Sequence, residues 1–319
     1  MLAEVQGQEE GVRFLRRVVE GKLTSPLLFV GDEGTGRRFS VVQAIKELFC
    51  SGTREKGCPC VDCHQLDQSM HPDFTSLSVP DDKDIGVDAI REIVANADNA
   101  PLMAPLRCVL IDGVDRMTIP AANALLKTLE EPPQSLRFFL LAESDDRILP
   151  TIRSRTGKVS YRSLPEDFVL SVLQRHEHDH AKALVYARMS EGSIGRAIRY
   201  WGAGRLGLRD RVVSLLQLAL GGDVAGFFPS IDGFSQDLPL ALRFLEQLLH
   251  DILMVAYVPD RLIHQDLSEG LAKLAGSRTF KVWSKFAVGL KAVRDRHRMT
   301  RINLSFHVKT LFAQTFAGV

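Results

Sequence analysis

Short apolar runs alternate with helical periodicities over the first half of the chain. Leu27–Val30, Phe74–Val79, Arg107–Asp112, Leu136–Ala142 and Lys158–Tyr161 predict strands. The near-continuous apolar run of Leu136–Ala142 suits a strand covered on both faces. Between these runs, apolar residues recur at helical spacing. They include Val12, Leu15, Val18 and Val19 in 5–22, and Val41, Val42, Ala44, Ile45 and Leu48 in Phe39–Phe49. In Val87–Ala97 they are Val87, Ile90 and Ile93 or Val94, and in Ala121–Glu131 they are Ala122, Leu125, Leu126 and Leu129. Strands alternating with helices predict an α/β, doubly wound parallel sheet. After Pro165 the pattern is helical throughout: Glu166–Arg175, Asp179–Met189, Ser193–Trp201, Arg209–Leu220, Leu240–Val258, Leu267–Ala275, Phe280–Val293 and Arg301–Ala317. In Leu240–Val258 the inward set is Leu242, Leu245, Leu249, Ile252, Leu253 and Ala256. Trp201–Arg205 is expected as a linker and Gly221–Asp237 as a loop-rich stretch.

Composition adds bounds. With 319 residues, 45% hydrophobic and 25% charged, the chain has room for two or three globular domains. A formal charge of +1 makes no demand for a nucleic-acid partner. No apolar run reaches the ~20 residues of a membrane span, and the polar opening MLAEVQGQEEGVRF predicts no export signal, so the expected compartment is the cytoplasm. Four of the five cysteines, Cys50, Cys58, Cys60 and Cys63, crowd together. In a reducing compartment such clustering favours a metal over disulfides. Four thiolates fill a tetrahedral Zn²⁺ and leave no open position, so the expected zinc is structural. The Cys58–Cys60 separation is one residue tighter than the usual knuckle, and the adjacent His64 is not needed as a ligand.

The first strand runs into Gly31, Gly34 and Gly36, with the spacing of a phosphate-binding loop. Two positions depart from that pattern. Arg37 replaces the lysine that reaches the β- and γ-phosphates, and Arg38 replaces the hydroxyl residue that holds Mg²⁺. Arg107–Asp112 has the form of a Walker-B strand ending in a metal-supporting aspartate. The next position, where such ATPases carry a glutamate, is Gly113, and Asp115 is too far along to replace it. Cys108 is expected in the core. Two further clusters read as surface features. The run from His176 through His178 to His180 predicts a solvated turn, and Arg294–Arg298 with Arg301 a solvated helix face or subunit contact.

Several stretches together resemble the bacterial DNA polymerase III clamp-loader subunits of the AAA+ class. They are Gly7-Gln8, the glycine loop, the four cysteines, Ile85–Arg91, AANALLKTLEEPP at 121–133, LPTIRSR at 149–155 and GSIGRAI at 192–198. The resemblance covers residues 3–204. Beyond it the chain matches in helical character, in length and near its end. It implies an AAA+ α/β domain at 1–162 with a zinc module at 50–63, a three-helix lid at 163–204 and a helical collar for oligomerisation at 205–319. It also implies gamma/tau- and delta-type partner subunits, with sliding clamp and primed DNA engaged through the assembly and no membrane.

Within that family the departures favour the non-hydrolysing delta-prime type over gamma/tau. Besides Arg37, Arg38 and Gly113, the sensor-2 arginine position falls on Gly195, with Arg196 one place late. The sensor-1 position falls on Glu143 or Ser144. Arg155 matches the family's arginine finger, which acts in trans on a neighbour's ATP, and Thr156 stands for the usual cysteine after it. Own-site hydrolysis is not expected, and retention of a nucleotide by Gly31, Gly34, Gly36 and Arg37 is left open. The alternatives are a gamma-type ATPase with an atypical loop, a zinc-containing DNA-binding module, and a scaffold whose Arg155 has no catalytic part.

Overall fold

Five strands form one parallel sheet in the computed structural model, which describes residues 1–80, 83–300 and 302–316. They are β1 (Leu27–Val30), β2 (Phe74–Ser78), β3 (Arg107–Asp112), β4 (Leu136–Ala142) and β5 (Gly157–Ser160), in the order β2-β3-β4-β1-β5. The last strand starts one residue before the expected Lys158, because Gly157 pairs with Leu27 and donates its N–H to the Pro26 carbonyl.

Alternation along the strands splits the core between two faces. On one face Leu28, Val109, Ile111, Phe138 and Leu140 pack with buried residues of α4 (Val87–Ala95) and α5 (Ile119–Glu130). On the other, Leu27, Phe29, Cys108, Leu110, Phe139 and Leu141 pack with α1 (Glu9–Val19) and α2 (Arg37–Phe49). Cys108 is fully enclosed there, and burial pushes its thiol well above the ordinary range. Helix α5 begins two residues before the expected Ala121, because Thr118 Oγ1 caps it by accepting from the Ala121 N–H. Two short helices, α3 (Val61–Asp67) and α6 (Pro150–Arg153), were not anticipated.

One buried carboxylate organises the sheet edge. Asp73, just before β2, accepts from the N–H groups of Leu102, Met103 and Ala104 at 2.7–2.8 Å. Burial pushes its carboxyl up, but the three donors together outweigh that and hold it below the usual range. A depressed folded pKa contributes stability that is present above the unfolded value of ~3.9 and is lost as pH falls through the folded value. Asp73→Asn is expected to lower the sheet unit's stability by about 2–3 kcal/mol, since the amide supplies one acceptor oxygen and turns donors toward donors. Urea titration at neutral pH checks this, and a loss below ~0.5 kcal/mol would contradict it.

The chain forms two compact units. One comprises Met1–Phe168 with Gly192–Gly195, the other Val169–Glu191 with the chain from Arg196 onward. Helical elements follow β5 in order: α7 (Glu166–Leu173), α8 (His180–Met189), α9 (Ile194–Gly202), α10 (Leu206–Leu220), α11 (Val224–Asp232), α12 (Leu238–Met254), α13 (Ser268–Gly276), α14 (Phe280–Thr300) and α15 (Leu304–Phe316). The expected linker is mostly absorbed by the end of α9, leaving a turn at Gly204 with φ +58°.

Gly221–Asp237 corrects the sequence expectation, since it contains α11. Asp223 caps that helix by accepting from the Gly226 N–H, and Phe227 packs on Phe312 with ring centroids 4.7 Å apart. Tertiary aromatic packing thus overrides a Gly/Pro-containing sequence. Helix α12 stops at Met254, short of the expected Val258, which leaves Ala256 exposed instead of inward. In its last turn, the fully buried Asp251 accepts from the Ile263 and His264 N–H groups and contacts His264 Nδ1 at 2.9 Å, fastening the segment that follows. Helix α14 runs past the expected Val293, and Arg294 in its basic run pairs with Glu246 of α12. Arg301 and Ala317, the bounds expected for the last helix, lie outside the described residues. No helix among the described residues is long and apolar enough to cross a membrane.

Candidate functional site

The glycine loop follows β1 at the carboxyl edge of the sheet, where parallel α/β folds bind ligands. Gly34 and Gly36 have φ of +75° and +97°, and Gly36 caps α2. A Cβ on Gly31 would lie 2.3 Å from the Tyr161 carbonyl oxygen, so only glycine fits beside β5. Gln8 ties the N-terminal segment to the loop by donating to the carbonyls of Thr35 and Arg162 at 3.1 and 2.8 Å.

The loop's two arginines are both engaged within the chain. Arg37 is buried, and its guanidinium donates to the Ala142 carbonyl at the end of β4. Arg38 lies 3.8 Å from Asp112 Oδ2 and donates to Ser76 Oγ at 3.1 Å. The aspartate expected to support Mg²⁺ is thus faced by a guanidinium of its own chain. Burial pushes the Asp112 carboxyl above its ordinary range, although Arg37, Arg38 and Arg116 pull it down.

Gly113, at the missing glutamate position, has φ +95°, and a Cβ there would meet the Arg116 guanidinium at 2.6 Å. The backbone itself therefore disfavours a longer side chain. Asp115 is buried and paired with Arg147 at 3.3 Å, which removes it as a substitute. Gly195 donates its N–H to the Gly34 carbonyl at 2.9 Å, and a Cβ on it would stand 2.8 Å from the Gly34 Cα. Ser193 Oγ donates to the Glu33 carbonyl at 2.8 Å. Segment 192–195 thus lies directly on the glycine loop. Arg196 is buried.

Arg155 follows α6, and its side chain is about a third exposed at 29%. Nε donates to Glu130 Oε1 at 2.7 Å, and Nη2 donates to the same oxygen. Nη1 donates to the Thr151 carbonyl at 2.9 Å and to Ser154 Oγ at 3.2 Å. Glu130 is the last residue of α5, where a carboxylate opposes the helix dipole and gains from a cation. The acidic end of AANALLKTLEEPP thus has a local partner.

The four cysteines converge. Their Sγ atoms all lie within 4.8 Å of one another, with Cys50 3.6 Å from Cys58 and 3.8 Å from Cys60. Four thiolates at ~2.3 Å around one tetrahedral ion stand ~3.8 Å apart, so the cluster has the size of a metal site and can bind one. Cys50 follows α2, Cys60 caps α3 and Cys63 lies in its first turn, which brings the ends of two helices to one point. Backbone N–H groups of Gly52 and Cys63 point at Cys50 and Cys60 sulfurs at 3.4 and 3.5 Å. A Cβ on Gly52 would touch Cys58 Sγ at 2.6 Å. The thiols are driven apart: the Cys60 N–H and Thr53 pull Cys58 down to about 6, while burial and neighbouring sulfurs push Cys63 up. A dication removes that conflict by taking all four as thiolates. His64 is exposed and contacts Gln68.

Sequence reasoning missed the support behind this cluster. Asp62 accepts from Ser51 at 2.6 Å and meets His71 at 3.4 Å. The buried His71 packs against Phe49 with the rings tilted and accepts from the Asp73 N–H at 3.1 Å. The only signal was the His71-Pro72-Asp73 triplet ahead of β2. The other histidine run does not gather: His176 lies in a turn against Trp201, not on a helix face with His180, which contacts Gln174.

A family model described as DNA polymerase III, delta subunit, matches residues 7–165. The delta' subunit of DNA polymerase III from Escherichia coli is 29% identical over 254 residues, 78% of this chain and 75% of that one. The gamma/tau subunit from Mycobacterium tuberculosis is 32% identical over 176 residues, 54% of this chain and 30% of that one. Among solved structures, a gamma subunit-related protein from Thermotoga maritima has a TM-score of 0.52 at 18% identity, covering 96% of this chain and 98% of that one, a likeness of fold alone. The matched segment runs from Gly7-Gln8 through the glycine loop and the cysteines to Arg155, and over it the chain is similar to the delta' subunits of DNA polymerase III.

Proposed function

We propose that the chain is a non-hydrolysing member of a replicative clamp loader. In this role it supports the loading of a sliding clamp onto primed DNA and offers Arg155 in trans to the ATP of a neighbouring subunit. Its partners are subunits of gamma/tau and delta type, and it meets clamp and DNA through them. The part at 163–204 serves as a lid and the helices at 205–319 as an oligomerising collar. A structural zinc sits on Cys50, Cys58, Cys60 and Cys63.

The observation that carries the non-hydrolysing role is the placement of Arg38 beside Asp112. Mg²⁺ needs an ionised carboxylate and a small hydroxyl, and a fixed guanidinium at that carboxylate repels it. Arg37, directed to Ala142, offers no compact cation to a γ-phosphate. Titration of the isolated chain with MgATP tests this. No heat of binding is expected up to ~1 mM, which corresponds to a binding free energy weaker than about 4 kcal/mol. Tight binding with Mg²⁺-dependent turnover would instead favour a gamma-type ATPase.

A further inference from the structure

The free chain holds its own Arg155 engaged. Of the five N–H groups of the guanidinium, the one on Nε and one on Nη2 go to Glu130 Oε1, and Nη1 serves Thr151 O and Ser154 Oγ. The pair is not an accident of a crowded surface. Glu130 closes α5 and Arg155 closes the turn after α6, so both side chains leave helix ends that the fold fixes. Both helices contribute to one core face, through Leu125 and Leu129 from α5 and Ile152 from α6. Each partner also relieves the other, since a carboxylate at a helix C-terminus is unfavourable without a cation.

We infer that Glu130 is a latch for Arg155: it holds the guanidinium against its own chain and competes with a phosphate for the same N–H fork. The inference rests on the proposed trans role of Arg155 and adds the residue that regulates it. Carboxylate and phosphate are interchangeable acceptors for an arginine fork. While Glu130 occupies Nε and Nη2, it neutralises the charge that would otherwise draw Arg155 to a γ-phosphate. Delivery to a neighbour's nucleotide therefore requires this pair to open, and Arg155 is available only for the fraction of time that it does. The exchange is one of hydrogen bonds alone, with no proton or covalent change. Because both side chains are partly exposed, at 29% and 47%, the barrier it sets is modest. Such a latch favours a finger that engages only where a phosphate, with more charge than one carboxylate, is presented to it.

The test uses the assembly reconstituted with its ATP-hydrolysing partner. Glu130→Gln keeps the side-chain volume and removes the charge. It is expected to raise kcat/KM for the partner's ATP hydrolysis about two- to fivefold, the range of an exposed ion pair. In the Arg155→Ala background the same change is expected to do nothing, a null that a general structural effect at the end of α5 would not give. Glu130→Ala, measured alongside, is expected to move in the same direction. If Arg155→Ala lowers turnover but both Glu130 variants leave it unchanged or lower it, the latch is wrong and the finger stands. Should Arg155→Ala itself change nothing, the trans role fails and the latch with it.

Discussion

Replacing Arg155 with alanine is expected to lower ATP turnover at the adjoining site of the reconstituted assembly by about 10³-fold, the lower end of what a trans arginine contributes in GTP hydrolysis. The charge that builds on a transferring γ-phosphoryl group needs a cation held close in a water-poor site, and the loss of that cation acts on the transition state. Turnover should therefore fall in kcat, with KM for ATP changing much less. Arg155→Lys should recover only part of the loss, since an ammonium supplies charge without a planar fork. Assembly and thermal stability should change little. In the free chain Arg155 contacts Glu130, Thr151 and Ser154 at the surface, and exposed pairs of this kind contribute about 1 kcal/mol or less. Unchanged partner turnover on Arg155→Ala, with the assembly intact, would leave the chain a scaffold.

Much of the sheet was legible because its strands are short, apolar and separated by strongly periodic helices. Leu27–Val30, Arg107–Asp112 and Leu136–Ala142 begin and end where the apolar runs do. The helical part was legible in kind but less so in detail. Helix α11 was hidden by Gly226, Gly233 and Pro229, and is held by the Asp223 cap and the aromatic packing of Phe227, neither of which is a periodicity signal. The end of α12 depends on Asp251 fastening residues twelve and thirteen positions away, and no local pattern announces that.

At the loop, sequence identified which residues had changed but not how each fits its surroundings. Arg37 and Arg38 read as lost chemistry, whereas their placement adds contacts to Ala142, Asp112 and Ser76. Gly113 read as a missing glutamate, yet its φ and the nearby Arg116 make it a local requirement. Gly195 read as a missing arginine, yet its close approach to Gly34 requires that no side chain stand there. Each departure is thus accommodated by a neighbour, as expected of a loop kept for its fold. The pairing of Arg155 with Glu130 was beyond reach, because the two are 25 residues apart and meet only through tertiary packing.

Removal of one sulfur from the cysteine cluster should have the largest effect on stability. Cys63→Ser takes away the most enclosed of the four thiols together with Cys50, at 3% and 6% exposure, and leaves three ligands for a cation that needs four. Zinc bound to four thiolates in small domains contributes ~10–16 kcal/mol of apparent binding energy, so even a fraction of it is large beside a domain's 5–15 kcal/mol. The wild-type chain is expected to carry about one equivalent of zinc and the variant less than half, by metal analysis. Loss of ~3–5 kcal/mol from a unit of this size corresponds to a fall in melting temperature of about 10 °C. The damage should stay local at first. Residues 51–60 should become the preferred site of proteolysis, while the sheet keeps its far-ultraviolet signal, because the two cores above and below it contain none of the four cysteines. The Asp62–His71–Asp73 contacts give the disturbance a route to the loop at Leu102–Ala104, so amide exchange there should quicken in the variant. Less than half an equivalent of zinc in the wild type, with an unchanged melting temperature for Cys63→Ser, would mean that the four sulfurs meet without a metal.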